Sequence, residues 1–182
     1  LYVIALYNHP YYDDYNFSAD VHAVWKKYHS LPQVLEAALH NTQKTRNSWQ
    51  GTYTGTFLSS IQPGLFSENL YFLSTFFLLT AFLLCFGFFL KVVFMDLLGL
   101  SQYESVILIS LTLILLVQFI PDVGEAFYWF NGGVGNTFIY SLIALSLGLC
   151  GKLMHCKGRV MQTAITFSLL LLMILLGGGS FS

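Results

Sequence analysis

Charge is what this chain has least of: Asp, Glu, Lys and Arg make up 9% of its 182 residues, where a soluble domain holds about 25%. An ordinary water-soluble domain is therefore excluded. The net charge is −1, so no basic character points to nucleic acid. Cysteine is almost as scarce. Cys85 and Cys150 lie in apolar runs and Cys156 in a basic loop, each read as an unpaired thiol behaving as a small hydrophobe. Cys150 and Cys156 with His155 lack zinc-site spacing. A phosphate-cradling Gly-Lys loop is missing too, and no other nucleotide motif takes its place.

What remains is apolar, 55% of the chain. A membrane span needs about 20 mostly apolar residues. Four stretches qualify: 69–90, uncharged between Glu68 and Lys91; 105–121, shorter and ended by Pro121; 133–151; and 160–178. Residues 1–7 read as the end of an earlier span that the chain enters partway. The C-terminal GGGSFS, just past an apolar run, reads as a cut end. The expected fold is all-α: one polytopic transmembrane helix bundle over 1–182, with four complete spans, part of a first, and an outer loop at 8–68.

The loops at 91–104 and 152–159 carry Lys91, Lys152, Lys157 and Arg159; Lys26, Lys27, Lys44 and Arg46 are spread along 8–68. Positive residues concentrated in short loops mark the cytoplasm. Their density places 8–68 and the loop 121–132 outside. Within 8–68, Val21, Val24, Trp25 and Tyr28 share one helical face, predicting a helix over 18–29 with Ser18 as N-cap. Leu31, Val34, Leu35, Ala38 and Leu39 predict a second over 31–43, with Ser30 and Gln33 at capping-box spacing and Pro32 in the first turn. Both are too short and polar to cross a bilayer. They are expected to lie in its interface or on the bundle.

Three blocks could carry chemistry. The first is YNHPYYDDYNFS at 7–18, where Asp13 and Asp14 stand side by side among aromatics. Carboxylates this close raise one another's pKa unless a cation, a donor or water offsets the repulsion. They are either a solvated end to the span, or a general base and divalent-cation ligand facing a lipid-borne substrate. The second is QKTRNSWQGTYTG at 43–55. Lys44 and Arg46 suit phosphate oxygens; Trp49, Gln50 and Tyr53 suit a sugar ring, or form an interfacial aromatic belt. The third is PDVGEAFYWFNGG at 121–133, which sets Asp122, Glu125, Trp129 and Asn131 on the face of the acid pair, with glycines allowing tight backbone.

The order of these parts resembles the start of a GT-C type membrane glycosyltransferase. DDYNFS, SWQGTYTGTFLSSIQP and EAFYWFNGGVGNTFIY are similar to a bacterial branch of multi-span proteins related to that superfamily. The resemblance implies a bacterial inner membrane protein with its site facing outside. It would transfer a sugar from a polyprenyl-phosphate donor to a glycan or lipid acceptor of the cell envelope. Asp13 and Asp14 match the motif holding the catalytic acid, with Asp14 favoured as base and its neighbour orienting it or binding Mg or Mn. Lys44, Arg46, Trp49, Gln50, Tyr53, Glu125, Trp129 and Asn131 would line the substrate pocket. A glycan repeat polymerase is a near variant. The alternatives from other classes are a transporter or flippase and a non-catalytic membrane protein.

Overall fold

A computed structural model describes residues 1–179; Ser180, Phe181 and Ser182, the last half of the GGGSFS tail, lie outside the described residues. Among those described, every regular element is helical. A short turn, α1 (Tyr2–Ala5), leads to a hairpin of α2 (Asp14–Tyr28) and α3 (Leu31–Ser48), then to the short α4 (Tyr53–Ser60). The apolar helices follow: α5 (Phe72–Lys91), α6 (Gln102–Gln118), a short α7 (Phe130–Gly133) running into α8 (Ile139–His155), and α9 (Arg159–Gly177).

Three helical stretches are long and apolar enough to cross a membrane: Glu68–Leu97, Phe130–His155 and Arg159–Gly177. Each exceeds or closely follows the expected 69–90, 133–151 and 160–178. The first gains a π-helical turn, Val92–Leu97. The second begins at Phe130 and carries a π turn at Val134–Phe138. The fourth stretch folds as α6, which has 17 residues and is shorter than those three. Its start is well defined: Ser101 Oγ accepts the Glu104 N–H, and the Glu104 carboxylate accepts the Ser101 N–H at 2.9 Å, a reciprocal capping box. Its end at Gln118 anticipates Pro121, which disfavours helix in the residue before it.

The bundle centres on α5. It packs against α1, α6 and α8, and α9 packs on the far side of α8. Tyr71, Leu78, Leu79, Phe82, Phe127, Phe130 and Val134 form its largest buried cluster. Close approach of α8 depends on Gly148, where an added Cβ would stand 2.8 Å from the Phe88 ring and 3.2 Å from Phe89 Cα. Small residues at such contacts let membrane helices pack through van der Waals contact. At the lysine-bearing end, Lys152 Nζ meets Asp96 at 2.9 Å, fastening the π turn of α5 to α8.

The hairpin departs from expectation at its edges. α2 starts at Asp14, not Ser18, with Asp13 in the N-cap position. Ser18 is buried inside the helix and its hydroxyl donates to the Asp14 carbonyl at 2.9 Å, so it caps nothing. α2 stops at His29, whose φ of 47° reverses the chain. α3 runs on to Ser48 with no side-chain cap bond at Ser30, so the Ser30–Gln33 box does not form. Of its expected stripe, Val34 and Ala38 are buried against Val21 and Leu65, while Leu31, Leu35 and Leu39 remain exposed. One face of α3 is narrower than its leucines imply.

α4 was not foreseen. Its first turn docks on the end of α9: Thr54 Oγ1 donates to Leu175 O at 2.7 Å, the Thr54 N–H to Gly178 O at 2.9 Å, and the Tyr53 hydroxyl to Ile174 O. The last carbonyls of a helix lack intrahelical partners; here α4 supplies them.

Candidate functional site

Asp13 and Asp14 sit where the hairpin meets the ends of α5 and α8, and helix geometry separates them. Asp14, in the first turn of α2, points inward and is 1% exposed. The Tyr71 hydroxyl, at the head of α5, and the Tyr11 N–H (3.1 Å) donate to one of its oxygens; the Asn131 N–H donates to the other at 3.0 Å. Burial pushes its carboxyl above the usual carboxylate range; the donors from Tyr71, Tyr11 and Asn131 pull the other way, and the Asp13 charge adds a small upward push. Tyr71 also accepts the Phe130 N–H at 3.1 Å, and its one proton, given to Asp14, leaves the Tyr128 carbonyl at 3.2 Å as the alternative acceptor. The Asp14–Tyr71 pair therefore holds the N–H groups of Phe130 and Asn131.

Asp13, half-buried, takes the side chains that this grip presents. Trp129 Nε1 donates to its Oδ1 at 3.1 Å, and Asn131 Nδ2 to its Oδ2 at 2.9 Å. Asn131 Oδ1 in turn accepts from Ser59 Oγ of α4 at 2.6 Å. Gly132 makes room for the indole: an added Cβ would lie 2.6 Å from Trp129 Cζ3. Asp13 faces a cavity of about 190 Å³, whose wall includes Trp49, Gln50, Thr56, Trp129 and Asn131. Asp14 is not on that wall.

The predicted residues thus divide. Asp13, Trp49, Gln50, Trp129 and Asn131 converge on the one cavity. Asp14 supports it from behind. Lys44 and Arg46 are exposed on α3 and line no part of it. Tyr53 is spent on α9, and Glu125 belongs to a separate hollow that shares Trp129. Tyr71, Ser59 and Thr56 were missed. The ENLYF stretch held the signal for Tyr71, a phenol at the head of an otherwise Phe/Leu helix.

The expected divalent cation does not fit this ligand set. Among the described residues no three His, Cys, Asp or Glu side chains converge, and N–H and O–H donors already reach all four oxygens of the acid pair. Those donors offset the carboxylate repulsion that a cation would otherwise neutralise.

No family model, no curated protein and no solved structure matches this chain. The class supported directly is a helical membrane protein, from three apolar helices of spanning length.

Proposed function

We propose that this chain carries the catalytic face of a GT-C type membrane glycosyltransferase, with Asp13 as the general base. One observation supports this above the others: a carboxylate held by two donors on a small polar cavity walled by indoles and amides. Aromatic faces with a few placed polar groups suit a sugar ring. No Lys or Arg lines the cavity, so a neutral ring fits it better than a phosphate does.

In this reading α6 is a fourth crossing, α2 and α3 lie at the outer interface, and the cavity faces outside a bacterial inner membrane. The acceptor hydroxyl attacks the anomeric carbon as Asp13 takes its proton. A new C–O bond forms, the C–O bond to phosphate breaks, and the pair leaves on the polyprenyl phosphate. That leaving group needs charge stabilisation more than a proton. No Lys or Arg on the cavity wall supplies it, so in this reading the stabilising charge comes from outside the cavity. Asp14 is a positioning acid, replacing the initial preference for it as base.

The test is native mass spectrometry of the gently purified protein, followed by transfer assays with the lipid found. A bound polyprenyl phosphate, with transfer about 10²–10⁴-fold lower in Asp13→Asn and the lipid still bound, is expected. Bulk phospholipid alone, or full transfer by Asp13→Asn, overturns the assignment.

A further inference from the structure

Trp129 is common to two cavities. The second holds about 530 Å³, and Tyr7, Tyr11, Tyr128, Trp129, Asp122 and Glu125 dominate its wall, without any Lys or Arg. Part of its donor set is already used, while the His9 ring and the Tyr7 and Tyr11 hydroxyls are also on the wall. The Tyr128 hydroxyl donates to Leu1 O at 2.9 Å and Trp129 Nε1 to Asp13; the Asn8 amide, also on the wall, donates to Thr75 Oγ1 and Tyr128 O. What Tyr128, Trp129 and Asn8 offer an occupant is therefore ring surface rather than donors.

The two carboxylates are exposed. Asp122 Oδ1 takes the Glu125 N–H at 3.0 Å, and among the described residues neither acid joins an ion pair. Tyr7 and Tyr11 are 78% and 65% exposed, so their rings are open to a ligand arriving from water.

Ring faces and two carboxylates outside any ion pair select for positive charge. A phosphate or sulfate would meet two like charges, with a single histidine, His9, as the basic side chain on the wall. A neutral polyol would leave both carboxylates without a counter-charge. A bare divalent ion wants six or more oxygen ligands and gains little from tyrosines. An organic ammonium gains from both, since aromatic faces attract cations and carboxylates pair with them. We propose that this hollow binds an organic ammonium group, primary or quaternary, supplied by a free amine or by the headgroup of an amine-bearing lipid. The site shares Trp129 with the first cavity, but the proposal does not rest on the transfer reaction.

The experiment uses the purified protein in nanodiscs of phosphatidylglycerol, which has no amine. Choline and ethanolamine are titrated calorimetrically. In parallel, native mass spectrometry follows lipid retained from discs containing phosphatidylethanolamine. Saturable binding of a probe, or retention of phosphatidylethanolamine, is expected in the parent chain. It should weaken about tenfold or more in the Asp122→Asn, Glu125→Gln double variant, whose changes are on the surface and whose helix content should hold. Probe binding and lipid retention are read without any transfer assay, which keeps this result separate from any failure of the transferase assignment. Probe binding without lipid retention identifies a soluble amine; lipid retention identifies a headgroup. Absence of both, or binding that ignores the double variant, overturns the proposal.

Discussion

Around the hairpin and α4, what is buried is largely polar: Asp14, Ser18, Thr54, Thr56, Ser59, Ser60 and Gln62. Their bonds run between elements. Gln62 Nε2 reaches Ser18 Oγ and the Asp14 carbonyl, Asn41 joins Phe17 O to Ser60, and Ser59 reaches Asn131. In the apolar helices Ser141 donates to Thr137 O and Ser146 to Leu142 O, each four residues back, while the buried Ser74 and Ser105 hydroxyls have no partner among the described residues. One region is organised by directional bonds across the chain and the other by shape. Directional bonds fix a side chain in space, which a reactive carboxylate requires, whereas packing fixes only helices. The Asp13 cavity lies on the seam, its acid from the hairpin side and its Trp129–Asn131 wall leading into a span.

The strongest break of this contrast is at Asp14. Asp14→Ala would strand the Tyr11 and Asn131 N–H groups and leave the Tyr71 hydroxyl only the longer bond to Tyr128 O. An unsatisfied buried donor costs about 1–3 kcal/mol, so a loss of about 3 kcal/mol or more is expected, read as a lowered unfolding midpoint in detergent. Asp14→Asn, which keeps oxygen acceptance on one side, should cost less. Its pH profile is diagnostic. Burial raises the Asp14 pKa above its ordinary 3.8, so the folded chain keeps that proton to higher pH than the unfolded chain. The corresponding stability is fully present below 3.8 and is lost as pH rises through the raised pKa. Asp14→Asn should flatten that slope, and an unchanged slope would mean Asp14 is not the group responsible.

Next comes a break on the packing side. Gly148→Val places branched carbon against Phe88 and the Phe89 backbone. Overpacking costs about 1–3 kcal/mol, and the backbone contact leaves little room for relief. The Asp13 cavity, fixed by bonds at the other end of α8, should keep its binding of the proposed lipid-linked donor while the midpoint falls. Equal damage to both would show that the two regions are not separately organised.

How much of this was legible in the sequence follows the same divide. Apolar runs bounded by Glu68, Lys91 and Arg159 locate spans, because the bilayer forbids charge wherever the run sits. Asp13, Trp129 and Asn131 could be nominated by residue type. Their meeting could not, since Asn131 and Asp13 are 118 residues apart and only the folded path of α5 and α8 joins them. Lys44 and Arg46 were drawn to the cavity by nearness to Trp49, but a helix turns about 100° per residue, and α3 presents them to solvent. Choosing between adjacent acids was harder still. Asp13 holds the N-cap and Asp14 the first turn of α2, and a helix start expected at Ser18 concealed that difference.

The smallest effect expected is at the lysine end, and it sharpens the contrast by its size. Lys152 and Asp96 form the ion pair between α8 and the π turn of α5, with side chains 42% and 27% exposed. Pairs this open are screened and are worth about 0–1 kcal/mol. Lys152→Ala should therefore shift the midpoint little, and added salt should shrink even that shift. The pair is a bond between distant elements, like those at the hairpin, yet it sits in water where theirs are buried. A large, salt-independent loss in Lys152→Ala would mean that this end is also closed off by neighbouring helices or lipid, and that long-range polar fixing extends to both ends of the bundle.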